Sequence, residues 1–162
     1  MEPTTLRRII PATTQLKRIL VPVDFSSSSN QALRYAVRLA QHFGSEITLL
    51  HIVQRTFIAP YPEVPPYLDH IEADFENAER ALQTLAATQP LKSSAIQTVV
   101  RTGLAAHEIV EAARDLDSDV IVIATHGYTS WKHLCIGSTA ERVVRTAPCP
   151  VFAVREKQHE LL

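Results

Sequence analysis

One segment in the C-terminal third of the chain combines residue types that could bind an anion. Gly127 is followed, after nine residues, by Gly137 and Ser138 at the start of a helical pattern. Glycine permits positive φ or a close approach of the backbone to a ligand. The free N–H groups and the positive dipole end of a helix attract an anion, and a phosphate is the obvious candidate. Ser138 and Glu141 also have the S-x-x-E spacing of a capping box, so this serine could instead do no more than cap its helix.

The strands and helices that must position this segment alternate regularly along the sequence. Short apolar runs predict strands at 19–23, 47–53, 96–100, 120–124 and 150–154. Between them, helical spacing of apolar residues predicts four helices, and the clearest pattern is Leu68, Ile71, Phe75, Ala78, Leu82 and Leu85. Strands that alternate with helices indicate parallel pairing with right-handed crossovers. The predicted fold class is therefore α/β, a single doubly wound five-stranded parallel sheet with helices on both faces.

The predicted helix after the first strand has signals at both ends. Ser28 and Gln31 resemble a capping box at its start, and Gly44 is a natural stop. Ligands of doubly wound sheets bind beyond the carboxyl ends of strands, where the winding reverses. Asp24, which follows the first strand, and the loop 125–137 are therefore expected at one site. Asp24 could alternatively cap the first helix.

Composition excludes several classes of protein. The 162 residues include 46% hydrophobic and 20% charged residues, which suits one domain with a real core. The net charge of -1 gives no general attraction to nucleic acid or to an anionic membrane, so neither is expected as a partner. Two cysteines favour a reduced, cytoplasmic setting. We expect a lead-in at 1–16, the domain at 17–157 and a tail at 158–162.

With these elements in place, the chain resembles the universal stress protein family. ATP-binding members of that family carry G-x2-G-x9-G-[ST], and this sequence has Ala124-x2-Gly127-x9-Gly137-Ser138. The segments 21–26, 49–52, 137–144 and 148–151 are similar to the family's first strand, second strand, closing helix and last strand. The resemblance extends over about 17–155, and the combination is specific.

The resemblance implies an adenine-nucleotide site at the switch point. On the adenosine side it implies that Pro22, Val23 and Asp24 border the ligand, with Asp24 near the ribose or a metal. The backbone of Ile52 would meet the adenine edge, and the ribose would lie over Ile123 and Ala124. The implied phosphate cradle consists of Gly127, Gly137, Ser138, Thr139 and Ala140. The implied cofactor is ATP, or AMP or ADP, with Mg²⁺ as a possible companion.

One position departs from the family pattern, because Ala124 stands where the first glycine is common. If that position needs positive φ or tight ligand contact, affinity drops. If its φ is ordinary, the methyl group is harmless. We favour the second interpretation, because alanine is the smallest replacement and the rest of the motif is intact.

The resemblance implies an ATP-binding regulatory module that acts in the stress response as a homodimer. The dimer would form by pairing of the last strands, through Val151, Phe152, Ala153 and Val154, and an unidentified protein partner would respond to it. Two alternatives stay open: a slow ATP hydrolase, and a nucleotide-free structural dimer. No dedicated catalysis is expected, since the chain has no phosphate-loop lysine motif and no G-x-S-x-G elbow.

Histidines and cysteines near the loop invite a metal-site interpretation. His126, His133 and Cys135 match no standard zinc spacing, so no metal ligands are predicted. His51, inside an apolar strand, is expected to be a core histidine with its hydrogen bonds satisfied rather than a ligand.

Overall fold

Five strands alternate with four helices along the residues that the structure, a computed structural model, describes: 16–54, 68–92, 95–125 and 136–155. The strands are β1 (Arg18–Pro22), β2 (Glu46–Val53), β3 (Ile96–Thr102), β4 (Val120–Ala124) and β5 (Val151–Val154). The helices are α1 (Ser27–Phe43), α2 (Leu68–Ala87), α3 (Ala105–Asp115) and α4 (Ser138–Thr146). Each predicted element is present, with bounds that differ from prediction by a few residues at most.

The strands form one parallel sheet in the order β3-β2-β1-β4-β5. The chain moves outward from β1 to β3 and then returns to the other side of β1 with β4. The winding therefore reverses between β1 and β4, and the predicted doubly wound sheet is confirmed. Pro22 is the last residue of β1, as its missing N–H requires.

Two apolar clusters lie on opposite faces of the sheet. Alternate residues of β1 point to opposite sides, so Ile19 and Val21 belong to one cluster and Leu20 to the other. The first cluster packs against α1 and α2, and the second against α3 and α4. The buried apolar residues of α1 are Ala32, Leu33, Ala36, Val37 and Ala40, which form one face of the helix. Helices thus cover both faces, as predicted.

The start of α1 differs from the prediction. The N-cap is Ser26, whose hydroxyl accepts a hydrogen bond from the Ser29 N–H at 3.1 Å. The capping box predicted at Ser28 is therefore wrong, and Asp24 is not the cap either. Each serine of the run 26–29 can cap a helix, and the backbone turn before Ser26 decides which one does. At the other end, Gly44 has φ of 69° and is the C-cap, which confirms the predicted stop.

No helix in the described segments is both long and apolar enough to cross a membrane.

Candidate functional site

A cavity of about 470 Å³ opens beyond the carboxyl ends of β1, β2 and β4. Its wall includes Pro22 from β1, Ile52 from β2 and Ala124 from β4, together with the N-terminal turns of α3 and α4. The volume lies within the range of about 300–1,000 Å³ that is common for small-molecule sites. The cavity is therefore large enough for a ligand and lies at the switch point of the sheet.

All the predicted site residues that the structure describes line this one cavity. They are Pro22, Val23, Asp24, Ile52, Ile123, Ala124, Gly137, Ser138, Thr139 and Ala140. Gly127 lies outside the described residues, as do His126, His133 and Cys135. The structure thus brings together residues that are more than a hundred positions apart in sequence.

The cavity wall also contains residues that sequence reasoning did not assign to a site. They are Ser29, Leu50, His51, Gln54, Ala105 and Ile109, whereas Thr125, the first residue of the loop expected at the site, also lines the cavity. Ala105 and Ile109 lie in the first turns of α3. Their place in the wall depends on how α3 packs beside α4, which no local signal encodes.

The turn between β1 and α1 fixes the carboxylate of Asp24. Asp24 Oδ1 accepts a hydrogen bond from the Ser26 N–H at 3.0 Å and from the Ser26 hydroxyl at 2.5 Å. Ser26 is buried, and its hydroxyl in turn accepts from Ser29. Asp24 is the sole carboxylate among the described residues of the wall, and none of these is a lysine or an arginine. The described wall therefore carries a negative formal charge at one point.

The opposite side of the cavity is the start of α4. Gly137 is the N-cap, and its carbonyl accepts from the Glu141 N–H at 3.0 Å. The helix therefore begins one residue earlier than a Ser138 cap requires, and the capping alternative for Ser138 is wrong. Because the first N–H groups of a helix lack intrahelical acceptors and a glycine has no capping side chain, this end of α4 can receive an anion.

Gly137 is needed for closeness rather than for an unusual backbone conformation. Its N–H donates to the carbonyl oxygen of Thr125 at 2.7 Å, and its φ of -62° suits any residue. A Cβ at this position would lie 3.2 Å from the same oxygen. Thr125 is itself buried, and its N–H donates to the Val154 carbonyl at 2.9 Å. The glycine thus lets the start of α4 approach the end of β4.

Ala124 has an ordinary strand backbone. In the described part of the chain, the non-glycine residues with positive φ are Phe25 and Asp117. Ala124 pairs with Val154 in the β4–β5 ladder and packs against the first apolar cluster. The conformational reason for a glycine at position 124 is therefore absent from this chain.

His51 has a hydrogen-bond partner, as expected. Its Nδ1 lies 2.7 Å from the carbonyl oxygen of Val23, and its ring also forms part of the cavity wall. Away from the cavity, burial raises the pKa of the Cys149 thiol, and the charge of Asp119 raises it further. This thiol stays protonated at neutral pH and packs as a small apolar group against the second cluster.

Comparison with known proteins identifies relatives of similar length, which align over most of both chains. The model of the universal stress protein family matches residues 15–155. Universal stress protein G of Salmonella typhimurium is 35% identical over 148 residues, covering 86% of this chain and 99% of that protein. Universal stress protein MJ0531 of Methanocaldococcus jannaschii is 31% identical over 150 residues, covering 89% and 85%.

Solved structures show the same architecture. Universal stress protein UspA from Lactobacillus plantarum has a TM-score of 0.76 at 29% identity and covers 87% of this chain and 99% of that one. Two more distant folds, at 18% and 22% identity with TM-scores of 0.60 and 0.58, are a universal stress protein in complex with cAMP and one from Archaeoglobus fulgidus in complex with dAMP. From its sequence, its sheet order and these likenesses, the chain belongs to the universal stress protein family.

Proposed function

We propose that this protein binds ATP, or another adenine nucleotide, in the switch-point cavity and acts as a regulatory module in the stress response. One observation carries the proposal: the glycine-capped start of α4 and the Asp24 carboxylate border the same cavity. The first suits a phosphate group, and the second suits a ribose hydroxyl or a metal ion. The cAMP and dAMP complexes of fold neighbours support adenine nucleotides as the ligand class.

The charges of the described wall favour a nucleotide that brings its own cation. A triphosphate next to Asp24 would bring like charges together at one end of the cavity. A Mg²⁺ ion bound to the phosphates would remove that repulsion, and the carboxylate could coordinate the ion. We propose Mg²⁺ as the companion of ATP for this reason.

The first experiment is a calorimetric titration of nucleotide-stripped protein with ATP, ADP and AMP, each with and without Mg²⁺. We expect micromolar or tighter binding of ATP with Mg²⁺, and binding weaker by about tenfold without it, because a carboxylate–phosphate repulsion of about 1–2 kcal/mol returns. In Asp24→Asn, the difference between the two conditions should shrink to about twofold. The amide keeps an oxygen that can accept from Ser26, so this variant changes charge with little change of shape.

Other outcomes would select the alternatives. No binding up to millimolar ATP would contradict the proposal and leave a nucleotide-free structural dimer. Steady ATP turnover above the level of contaminants, lost in Asp24→Ala, would instead indicate a slow hydrolase.

We also propose that the protein forms a homodimer through β5. This strand is at the edge of the sheet, so one side of its backbone has no neighbour in the described sheet. Two large apolar side chains nearby are half exposed, Phe152 on β5 at 45% and Val144 on α4 at 49%. An open strand edge beside exposed apolar groups is suited to pairing with a second copy. A cytoplasmic location and a further protein partner stay predictions.

Position 124 provides a test of how tightly the cavity fits its ligand. Replacing Ala124 with glycine should change the affinity for ATP with Mg²⁺ by less than about threefold, because no positive φ is relieved. The same change should lower the free energy of unfolding by about 0.5–1 kcal/mol, since glycine loses more conformational entropy in a strand. Calorimetry and chemical denaturation measure the two effects. A gain in affinity of tenfold or more, on the scale of about 1.4 kcal/mol, would show that the methyl group obstructs the ligand.

A further inference from the structure

We propose that His51 is a positioning residue, which holds the turn between β1 and α1 so that Asp24 faces the cavity. The inference rests on the proposed function, and it adds a role for a side chain that the family resemblance does not assign. His51 lies on β2, and the turn that it contacts lies between β1 and α1.

The first observation is that both backbone polar groups of Val23 make hydrogen bonds to residues of β2. Its N–H donates to the Leu50 carbonyl at 2.8 Å, and its carbonyl oxygen lies 2.7 Å from His51 Nδ1. A carbonyl oxygen can only accept, so Nδ1 must carry the proton. Val23 is 4% exposed, and without His51 its carbonyl oxygen would lose that donor in a nearly buried setting.

The second observation is the unusual backbone of Phe25. Its φ is 63°, a left-handed conformation that costs free energy for a residue with a bulky side chain. The Phe25 ring lies against the His51 ring, with centroids 4.8 Å apart and an angle of 37° between the planes. The ring also packs against the first apolar cluster. These contacts offset the backbone cost and keep the turn in its tight form.

These two contacts fix the residues on either side of Asp24. His51 bonds to Val23 before it and packs against Phe25 after it. Ser26 then donates twice to the Asp24 carboxylate. The direction of that carboxylate therefore depends on a histidine of the neighbouring strand, through bonds that a purely apolar side chain cannot make.

The test measures the binding of ATP with Mg²⁺ to two substitutions of His51, each with and without Asp24→Asn. His51→Leu keeps the apolar volume and removes the donor, whereas His51→Asn places an amide N–H close to the position of Nδ1. We expect about tenfold weaker binding for His51→Leu, because the apparent affinity falls tenfold if only about a tenth of the molecules keep the turn in its binding-competent form. For His51→Asn we expect a loss of affinity within about threefold. Combined with Asp24→Asn, His51→Leu should cost no more than about twofold, because the charge that it positions is already gone.

Three results would overturn the role of His51. The first is unchanged affinity in His51→Leu, and the second is an equal loss of affinity in the leucine and asparagine variants. The third is a tenfold loss from His51→Leu that is just as large in the Asp24→Asn background. Should His51→Leu fail to fold, the ¹⁵N shifts of the ring in the unaltered protein decide. A proton on Nδ1 supports the inference, and a proton on Nε2 alone overturns it. If the unaltered protein does not bind ATP, the proposed function itself fails, whereas a failure confined to the His51 variants leaves that function standing.

Discussion

Replacing Gly137 with valine is expected to weaken the binding of ATP with Mg²⁺ by at least about 100-fold, or about 2.7 kcal/mol, while the protein stays folded. A single Cβ here would already lie 3.2 Å from the Thr125 carbonyl oxygen. Valine adds two more carbons, so the 2.7 Å hydrogen bond between these residues must lengthen or break. The start of α4 then moves, and its N–H groups no longer point to one phosphate position.

The fold should survive, because the φ of -62° at Gly137 is open to every residue. Calorimetry gives the affinity, and thermal or chemical denaturation gives the stability. Gly137→Ala should fall between the two, since its one added carbon makes a tight contact rather than an overlap. Unchanged affinity in Gly137→Val would show that the ligand does not bind at the start of α4.

Gly44 offers a matched control, because its conformation requires glycine whereas its surroundings leave room for a side chain. It has φ of 69° and nothing within 4 Å of an added Cβ, so a side chain here costs backbone strain and no steric contact. Gly44→Ala should lower the free energy of unfolding by about 1 kcal/mol through its left-handed φ. Its affinity for ATP should stay within about twofold of the unaltered protein. The pair of variants separates loss of the site from loss of stability.

The contrast between the two glycines shows what the sequence could and could not predict. Gly44 follows an amphipathic helix, so its role as a stop is local and was predicted correctly. For Gly137 the sequence predicted a helix start beside a ligand, but it left open whether Ser138 caps that helix. The N-cap is set by the Gly137–Thr125 hydrogen bond, which joins two residues on either side of a loop. Helix caps of this kind depend on tertiary contacts that spacing does not encode.

The turn after β1 was harder to predict for a similar reason. Strands and helices follow from the alternation of apolar runs, and their alternation predicted a parallel doubly wound sheet with a site beyond the carboxyl ends of its strands; the strand order itself came from the structure. Phenylalanine rarely adopts positive φ, so no sequence rule places a left-handed residue at Phe25. That turn makes Ser26 the N-cap, whereas the capping-box spacing of Ser28 and Gln31 pointed to a later serine of the same run. Local patterns thus located the site, while contacts between strands determine its detailed shape.

The second large effect is expected at the edge of the sheet, where Ala153→Pro should prevent formation of the proposed dimer. The N–H groups of Ile121 in β4 and of Thr125, the residue after β4, donate to the carbonyls of Pro150 and Val154. Residues alternate in a parallel ladder, so Phe152 also bonds toward β4, while the N–H and C=O of Ala153 point to the open edge. Proline at 153 removes the N–H that a partner strand needs and puts a ring in its place.

We expect the dimer dissociation constant to rise by at least about 100-fold, or about 2.7 kcal/mol, as measured by sedimentation at micromolar protein. The monomer should keep its fold, because the bonds between β4 and β5 do not use the N–H of Ala153. Ala153→Ser keeps that N–H and should remain dimeric, which controls for the changed side chain. Phe152→Pro removes an N–H that faces β4 and should instead destabilise the fold by about 3 kcal/mol.

The outcome also bears on how a nucleotide signal could reach the partner subunit. β5 pairs with β4 along its whole length, and Ala124 and Thr125 at the end of β4 lie in the cavity wall. The Thr125 N–H donates to Val154, and its carbonyl accepts from Gly137. One residue thus connects the proposed phosphate site with the proposed dimer strand.

If Ala153→Pro gives a monomer that binds ATP as the dimer does, the two sites are independent. If its affinity falls while the fold is intact, dimer formation and nucleotide binding are coupled through Thr125. A dimer that persists would place the interface on a surface other than the edge of β5.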